Sequence, residues 1–333
     1  MEEYPHLPEY ADSFITHLHK KGRKSSTIKR YHYDLLDFFA WVRVMKKTDD
    51  LSVIKKIDAM LLNEYFLFLS EQREYSVATS KRVFTVIKSL FQFLQGNRSI
   101  QHNPFTEIQQ NQKEDIHFLE EDFVTEDEFE TLFQTLSSYE GLTEKQQKYR
   151  HLLIKRNEAI VSLLYFYGLT LQEVTNIEMK HVNFTQQEIT VINKSESRLI
   201  PLDEKTHHLL YEYKEDIPDA IRPRTYSSDR FFIAFDYQRG TFRFDYSKYE
   251  PKPLTVIAIQ KMLRQEIRRS GIRKGISSHH LRRTAILNFL KSGRSEEEVQ
   301  MWFGLKSHLT LQRYEAYLQK SIHAEPNKNS LKT

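Results

Sequence analysis

The sequence has no cysteine, which excludes disulfides and thiolate metal sites. Glycine and proline are scarce, with 9 of each in 333 residues. Because apolar residues also recur at spacings of three and four, that scarcity predicts a mostly helical protein. No apolar run comes near the ~18 residues of a membrane-spanning helix, and no secretory leader pattern opens the chain. The expectation is a soluble, cytoplasmic protein with no membrane contact. Although 14 histidines are present, no pair falls at metal-ligand spacing with a carboxylate third, so no metal and no cofactor is expected.

What is present suffices for roughly two domain cores, since 39% of residues are apolar and 13% aromatic. The net charge of +4 is modest, and its distribution says more. Residues 20–47 carry nine Lys or Arg against Asp34 and Asp37, and residues 261–283 carry eight against Glu266. Between them, residues 114–130 hold nine acids and no Lys or Arg. Two basic blocks parted by an acidic joint predict two surfaces closing on one polyanion such as double-stranded DNA.

Residues 7–20 read as a first amphipathic helix, and Ser25-Ser26-Thr27 as the cap of a second. Asp58 and Ser76 open a third and a fourth, and Gly96-Asn97 closes the last. Four such helices make a bundle. The fourth carries Lys81, Arg82 and Lys88 with no acid between Ser76 and Asn97, a face suited to DNA phosphates, and Lys24, Lys29 and Arg30 join them as candidates. Pro104 ends helical order. Residues 1–108 are therefore read as one DNA-binding domain, 109–124 as a linker and 125–333 as a second domain.

The second domain opens on a capping box from Thr125 to Glu128, followed by a buried helix from Arg156 to Tyr167. Glu188–Ile192 and Arg198–Leu202 read as a hairpin, and Phe231–Phe235 as a further strand. Residues 236–253 give no firm assignment. A helix over Thr255–Ser270 carries the DNA-binding candidates Arg268 and Arg269.

The chemistry is concentrated in Ser277–Tyr317. His279 and Arg282, three apart on a helix, share a face and can grip one phosphate. After a Trp302-Phe303-Gly304 bend, Tyr314 arrives on a separate helix, 32 residues beyond Arg282, as a candidate nucleophile. This region resembles the C-terminal active-site region of the tyrosine recombinase (phage integrase) family. The N-terminal helices with Asn103-Pro104-Phe105 are similar to that family's core-binding domain. The resemblance implies a mainly α fold: a helical, SAM-like core-binding bundle plus a mostly helical catalytic-type domain with a small antiparallel β-sheet.

The resemblance also implies cleavage of one DNA strand through a 3′-phosphotyrosyl bond without metal or nucleotide, as in type IB topoisomerases. On this pattern Tyr314 matches the nucleophile, Arg282 the second arginine and His279 the histidine before it. Lys194 matches the hairpin lysine that protonates the leaving 5′-oxygen, and Glu173 the acidic position. Arg283, often His in the family, adds charge for DNA. Two positions depart. The frame Gly168-Leu169-Thr170-Leu171-Gln172-Glu173 carries Thr170 where the family has its first arginine, and Leu305 follows Gly304 where His or Trp is expected. Losing one preorganised transition-state donor costs roughly 3–4 kcal/mol, or about 10²–10³ in rate.

Three functions are consistent with these residues. One is a recombinase fold turned to sequence-specific DNA binding, resembling recombinase-derived lysogeny repressors of SPβ-type temperate phages. The second is an active integrase in which Arg150 or Arg156 swings into the place of the missing arginine. The third is a helical scaffold that binds no DNA. Assembly of several copies on DNA stays open.

Overall fold

The computed structural model of the chain describes residues 6–108, 118–193 and 196–324. The chain forms two units, Met1–Asp115 and Ile116–Thr333. Among the described residues no helix is long and apolar enough to cross a membrane, and no three His, Asp or Glu side chains group to hold a metal ion.

The first unit is a helical bundle of α1 (Glu9–Lys20), α2 (Ser25–Lys46), the single turn α3 (Leu51–Ile54), α4 (Ala59–Glu71) and α5 (Val77–Gly96). Asp58 caps α4 by accepting from the Leu61 amide at 2.9 Å, and Ser76 caps α5 from Thr79 at 3.3 Å, so both starts follow the local cap chemistry. The α2 start differs from expectation. Its N-cap is Lys24, which makes no side-chain cap, and Ser25 to Thr27 already lie in the first turn. The core is built on Leu35, Phe38, Phe39, Leu62, Tyr65, Ile87 and Phe91. Asn103 and Pro104 shape one 3₁₀ turn, Pro104–Thr106, that plants Phe105 against Phe84 and Phe91.

Arg82, expected on DNA phosphates, is tied within the bundle. It makes a bidentate pair with the buried Asp34 of α2 at 2.7 and 2.9 Å.

The second unit contains α6 (Glu126–Ser137), α7 (Glu144–Tyr149), α8 (Ile154–Tyr165), α9 (Leu171–Asn176), β1 (Val182–Asn183), β2 (Glu188–Asn193), β3 (Glu196–Pro201) and α10 (Glu204–Glu215). Two short hairpins follow, β4 (Phe235–Asp236) with β5 (Thr241–Phe242) and β6 (Phe244–Asp245) with β7 (Glu250–Pro251). Helices α11 (Val256–Ser270), α12 (Ser278–Lys291), α13 (Glu296–Phe303) and α14 (Leu309–Ala324) complete it. Helix α8 is buried along its whole length after the first two residues. The sheet is antiparallel, with Val191 opposite Arg198 and Ile189 opposite Ile200. Because strand side chains alternate faces, Arg198 shares the face of the buried Ile189, Val191 and Ile200. The architecture is mainly helical with small antiparallel sheets, as expected.

Two segments correct the sequence reading. Phe231–Ile233 form no regular strand, and the Phe231 amide donates to Ile177 O while Phe232 O accepts from Leu254. A run of buried aromatic and β-branched residues has the same pattern whether its partners are ladder-like or scattered. The expected linker also changes. Residues 109–117 lie outside the described residues, but Phe118 and Phe123 are buried in a cluster with Ile286, Phe303, Leu311 and Tyr314. Two phenylalanines set among acids bind that end of the segment to the second unit.

Arg150 is 3% exposed and pairs bidentately with the buried Glu266 at 2.7 and 2.9 Å. Arg269, expected to face DNA, turns inward to the same carboxylate and donates to the carbonyls of Ser138 and Glu140, both at 2.8 Å. Glu266→Gln would leave two buried guanidiniums without their shared counter-ion. We expect a loss of about 3–5 kcal/mol, read as a lower urea midpoint for the second unit.

Candidate functional site

Arg282 of α12 is held from three sides. It donates to Gly168 O and to Phe303 O, the latter at 2.6 Å, and lies 3.7 Å from Glu173. Its side chain is 14% exposed. Burial pulls the guanidinium pKa down and Glu173 opposes that shift. Gly168 is needed for this packing: it has φ +60°, and a Cβ there would stand 2.3 Å from the Phe303 ring. Gly304, at φ +60°, ends α13 and turns the chain toward α14.

Glu173 is the junction of the site. One oxygen accepts from the Thr170 amide at 2.7 Å and the Thr170 hydroxyl at 2.9 Å, while the Glu173 amide donates back to Thr170 Oγ1 at 3.2 Å. That is a reciprocal capping box at the start of α9. The other oxygen pairs with Arg198 at 2.7 Å, and Arg198 Nε also donates to Trp302 O at 2.7 Å. Burial would raise the Glu173 carboxyl. The hydrogen bond and charge of Arg198, the Thr170 amide and the charge of Arg282 outweigh it and hold the carboxyl below its ordinary range.

Tyr314 is 3% exposed and packs on Phe118, with ring centroids 4.6 Å apart. Burial pushes its hydroxyl up to about 12, against the opposing charges of Arg283, Arg282 and Arg313. A cleft of about 380 Å³ opens beside it, lined by His279, Arg282, Arg283, Arg313 and Leu305 with no carboxylate among its lining residues. His279 is exposed on its rim, and Leu305 contributes apolar surface.

The segment after the undescribed residues lies across this cleft. The Phe118 ring lies under the Arg313 and Arg283 guanidiniums, at 4.4 and 5.2 Å from their carbons. Asp122 forms an ion pair with Arg283. Arg273 donates to Glu121 O at 2.8 Å and to Phe123 O, and the Val124 amide donates to Thr284 Oγ1 at 2.8 Å.

The structure therefore brings Glu173, Thr170, His279, Arg282, Leu305 and Tyr314 into one region. Lys194 lies outside the described residues. Arg150 and Arg156 are buried elsewhere in the unit, so neither stands in for the missing arginine. Lys24, Lys29, Arg30, Lys81 and Arg268 are exposed, and Lys88 is half-buried over the Phe84 ring. Four residues of the site carry no role in the sequence pattern. Arg198 opens the expected strand Arg198–Leu202, Phe118 and Asp122 fall within the expected linker 109–124, and Arg313 directly precedes Tyr314 with no local signal of its own.

The family model described as "Phage integrase family" matches residues 122–320, and "Phage integrase, N-terminal SAM-like domain" matches residues 11–97. Among curated proteins, tyrosine recombinase XerC of Pediococcus pentosaceus is 25% identical over 84% of this chain and 84% of its own length. Tyrosine recombinase XerD of Listeria monocytogenes is 25% identical over 89% of each chain. The fold is shared with the Tn1549 transposon integrase in complex with transposon right end DNA (TM-score 0.65, 15% identity, 95% of this chain and 99% of that one). It is shared also with a lambda integrase tetramer bound to a Holliday junction (TM-score 0.63, 13% identity, 94% of this chain and 78% of that one).

Because the folded chain lowers the Glu173 pKa, Glu173 contributes stability that is present above its ordinary value of 4.5 and lost as pH falls through the lowered value. Glu173→Gln should be less stable than the parent at pH 7, and the difference should shrink on acidification. Urea midpoints measured from pH 7 down to pH 3 check this.

Proposed function

The chain belongs to the phage integrase family, and from that premise we propose that it binds a specific duplex DNA site as a transcriptional repressor of a temperate phage or mobile element, with little strand cleavage. In this reading both units contact DNA. Lys24, Lys29, Arg30, Lys81 and Lys88 serve the first unit, while Arg268, Arg282 and Arg283 serve the second.

One observation carries the reading. Thr170, at the position matched to the family's first arginine, has its hydroxyl and amide both turned back to Glu173 in the α9 cap. Attack by Tyr314 Oη on a phosphate would form a phosphotyrosyl bond and release a 5′-oxygen that must take up a proton. The phosphorane on that path needs charged donors in place beforehand. A capped threonine and an apolar Leu305 supply none, and a hydroxyl with a pKa near 12 needs more help to ionise. A ground-state phosphate makes smaller demands, and a cleft lined by Arg282, Arg283 and Arg313, with Asp122 on Arg283 as a competing carboxylate from outside the lining, meets them.

A second reading, an active site-specific recombinase cutting through Tyr314, is favoured by the relatives' names and by the retention of Tyr314 beside Arg282. A nicked suicide substrate separates the two. The repressor reading expects no covalent adduct together with tight, salt-sensitive, sequence-specific binding. Efficient trapping that disappears in Tyr314→Phe would overturn it. Thr170→Arg alone is expected to restore little cleavage in the same assay, because Leu305 remains; robust cleavage by that variant would contradict the argument.

A further inference from the structure

We propose that a second cavity of the C-terminal unit, built around Arg156, binds a small organic anion carrying a carboxylate or a phosphate. The cavity measures about 370 Å³ and shares no lining residue with the cleft beside Tyr314. It lies between the first turn of α8, one side of α11 and the chain around β4 and β5.

Arg156 is 6% exposed. Its Nε and Nη2 share one acceptor, Asn157 Oδ1, at 3.3 and 3.1 Å, and Nη1 reaches Ile233 O at 3.4 Å. These bonds fall at or beyond the long end of the usual range. No carboxylate pairs with Arg156 among the described residues. Buried charges are ordinarily paired, and the other enclosed arginines of this unit obey the rule: Arg150 has Glu266, and Arg198 and Arg282 have Glu173. Arg156 is the exception, and it faces a cavity. Burial draws its pKa down, Tyr213 and Tyr237 oppose that shift, Arg150 adds to it, and no carboxylate is among the opposing groups.

The rest of the lining favours an anion too. Arg243, Lys252 and Lys261 stand exposed around the cavity. Glu266 is the one acidic side chain in the lining, and Arg150 and Arg269 already engage it. Arg243 lies 3.8 Å from Asp236, too far for a tight pair. Phe235, Tyr237, Leu254 and Met262 add apolar wall for a ring or a short aliphatic body. A guanidinium fork matches two oxygens of a carboxylate or phosphate. Arg156 would take the anion at depth and the exposed cations would attract it at the surface. A DNA backbone phosphate offers the same oxygens, so the test must distinguish the two sources.

The probe is phenyl phosphate, titrated by calorimetry into the full chain at fixed ionic strength. Saturable binding is expected, at least tenfold weaker in Lys261→Ala, whose exposed side chain leaves folding intact, and absent in Arg156→Met. Arg283→Ala, in the other cleft, should leave it unchanged. Phenyl phosphate should also stay bound when duplex DNA is added. No saturable binding, equal affinity in Lys261→Ala, dependence on Arg283, or displacement by duplex would each overturn the proposal.

Discussion

The C-terminal unit depends on the carboxylate of Glu173. It receives the cap of α9 through Thr170, the sheet through Arg198, and α12 through Arg282. Three elements distant in sequence thus meet at two oxygen atoms. Removing one partner of a buried pair leaves the other charge uncompensated, which is why such junctions are costly to break. The arginines next to Tyr314 are therefore structural and electrostatic at once. Arg282 is positioned by backbone carbonyls at Gly168 and Phe303 and by Glu173, so its direction is set before any ligand arrives.

The capping role of Thr170 gives the departure from the family pattern a physical meaning. An arginine at the head of α9 would extend its charge away from the helix. A threonine there closes the helix start and occupies an oxygen of Glu173. Arg198 takes the other oxygen and also fastens the end of α13 through Trp302 O. The region is well knit, with both oxygens of Glu173 engaged.

Much of this was legible from short-range sequence logic. Asp58, Ser76 and Thr125 each cap the helix that follows, because a cap is a contact between residues three apart. Helical spacing alone puts His279 and Arg282 on one face, and the resemblance to the tyrosine recombinase family adds Tyr314 to them. The direction of individual arginines was not. Arg82 is drawn to Asp34, 48 residues earlier, and Arg269 to carbonyls about 130 residues away. No local pattern encodes such partners. The same limit hid Arg198, whose orientation follows from its register opposite Val191. Phe118 gives no core signal because it stands in an acidic stretch with no helical or strand period around it.

The Phe118–Val124 segment has a further consequence. Asp122 is tethered a few residues from anchored phenylalanines, so it meets Arg283 at an effective concentration set by the chain, on the order of millimolar for short flexible tethers and higher for one anchored on both sides. Any anion seeking Arg283 competes with this built-in carboxylate. Weak or isolated anions lose that competition, whereas a ligand with several contacts can win it and lift the aspartate away. The segment thus sets a threshold on occupancy of the cleft, and that threshold follows from the tether as much as from the strength of the ion pair.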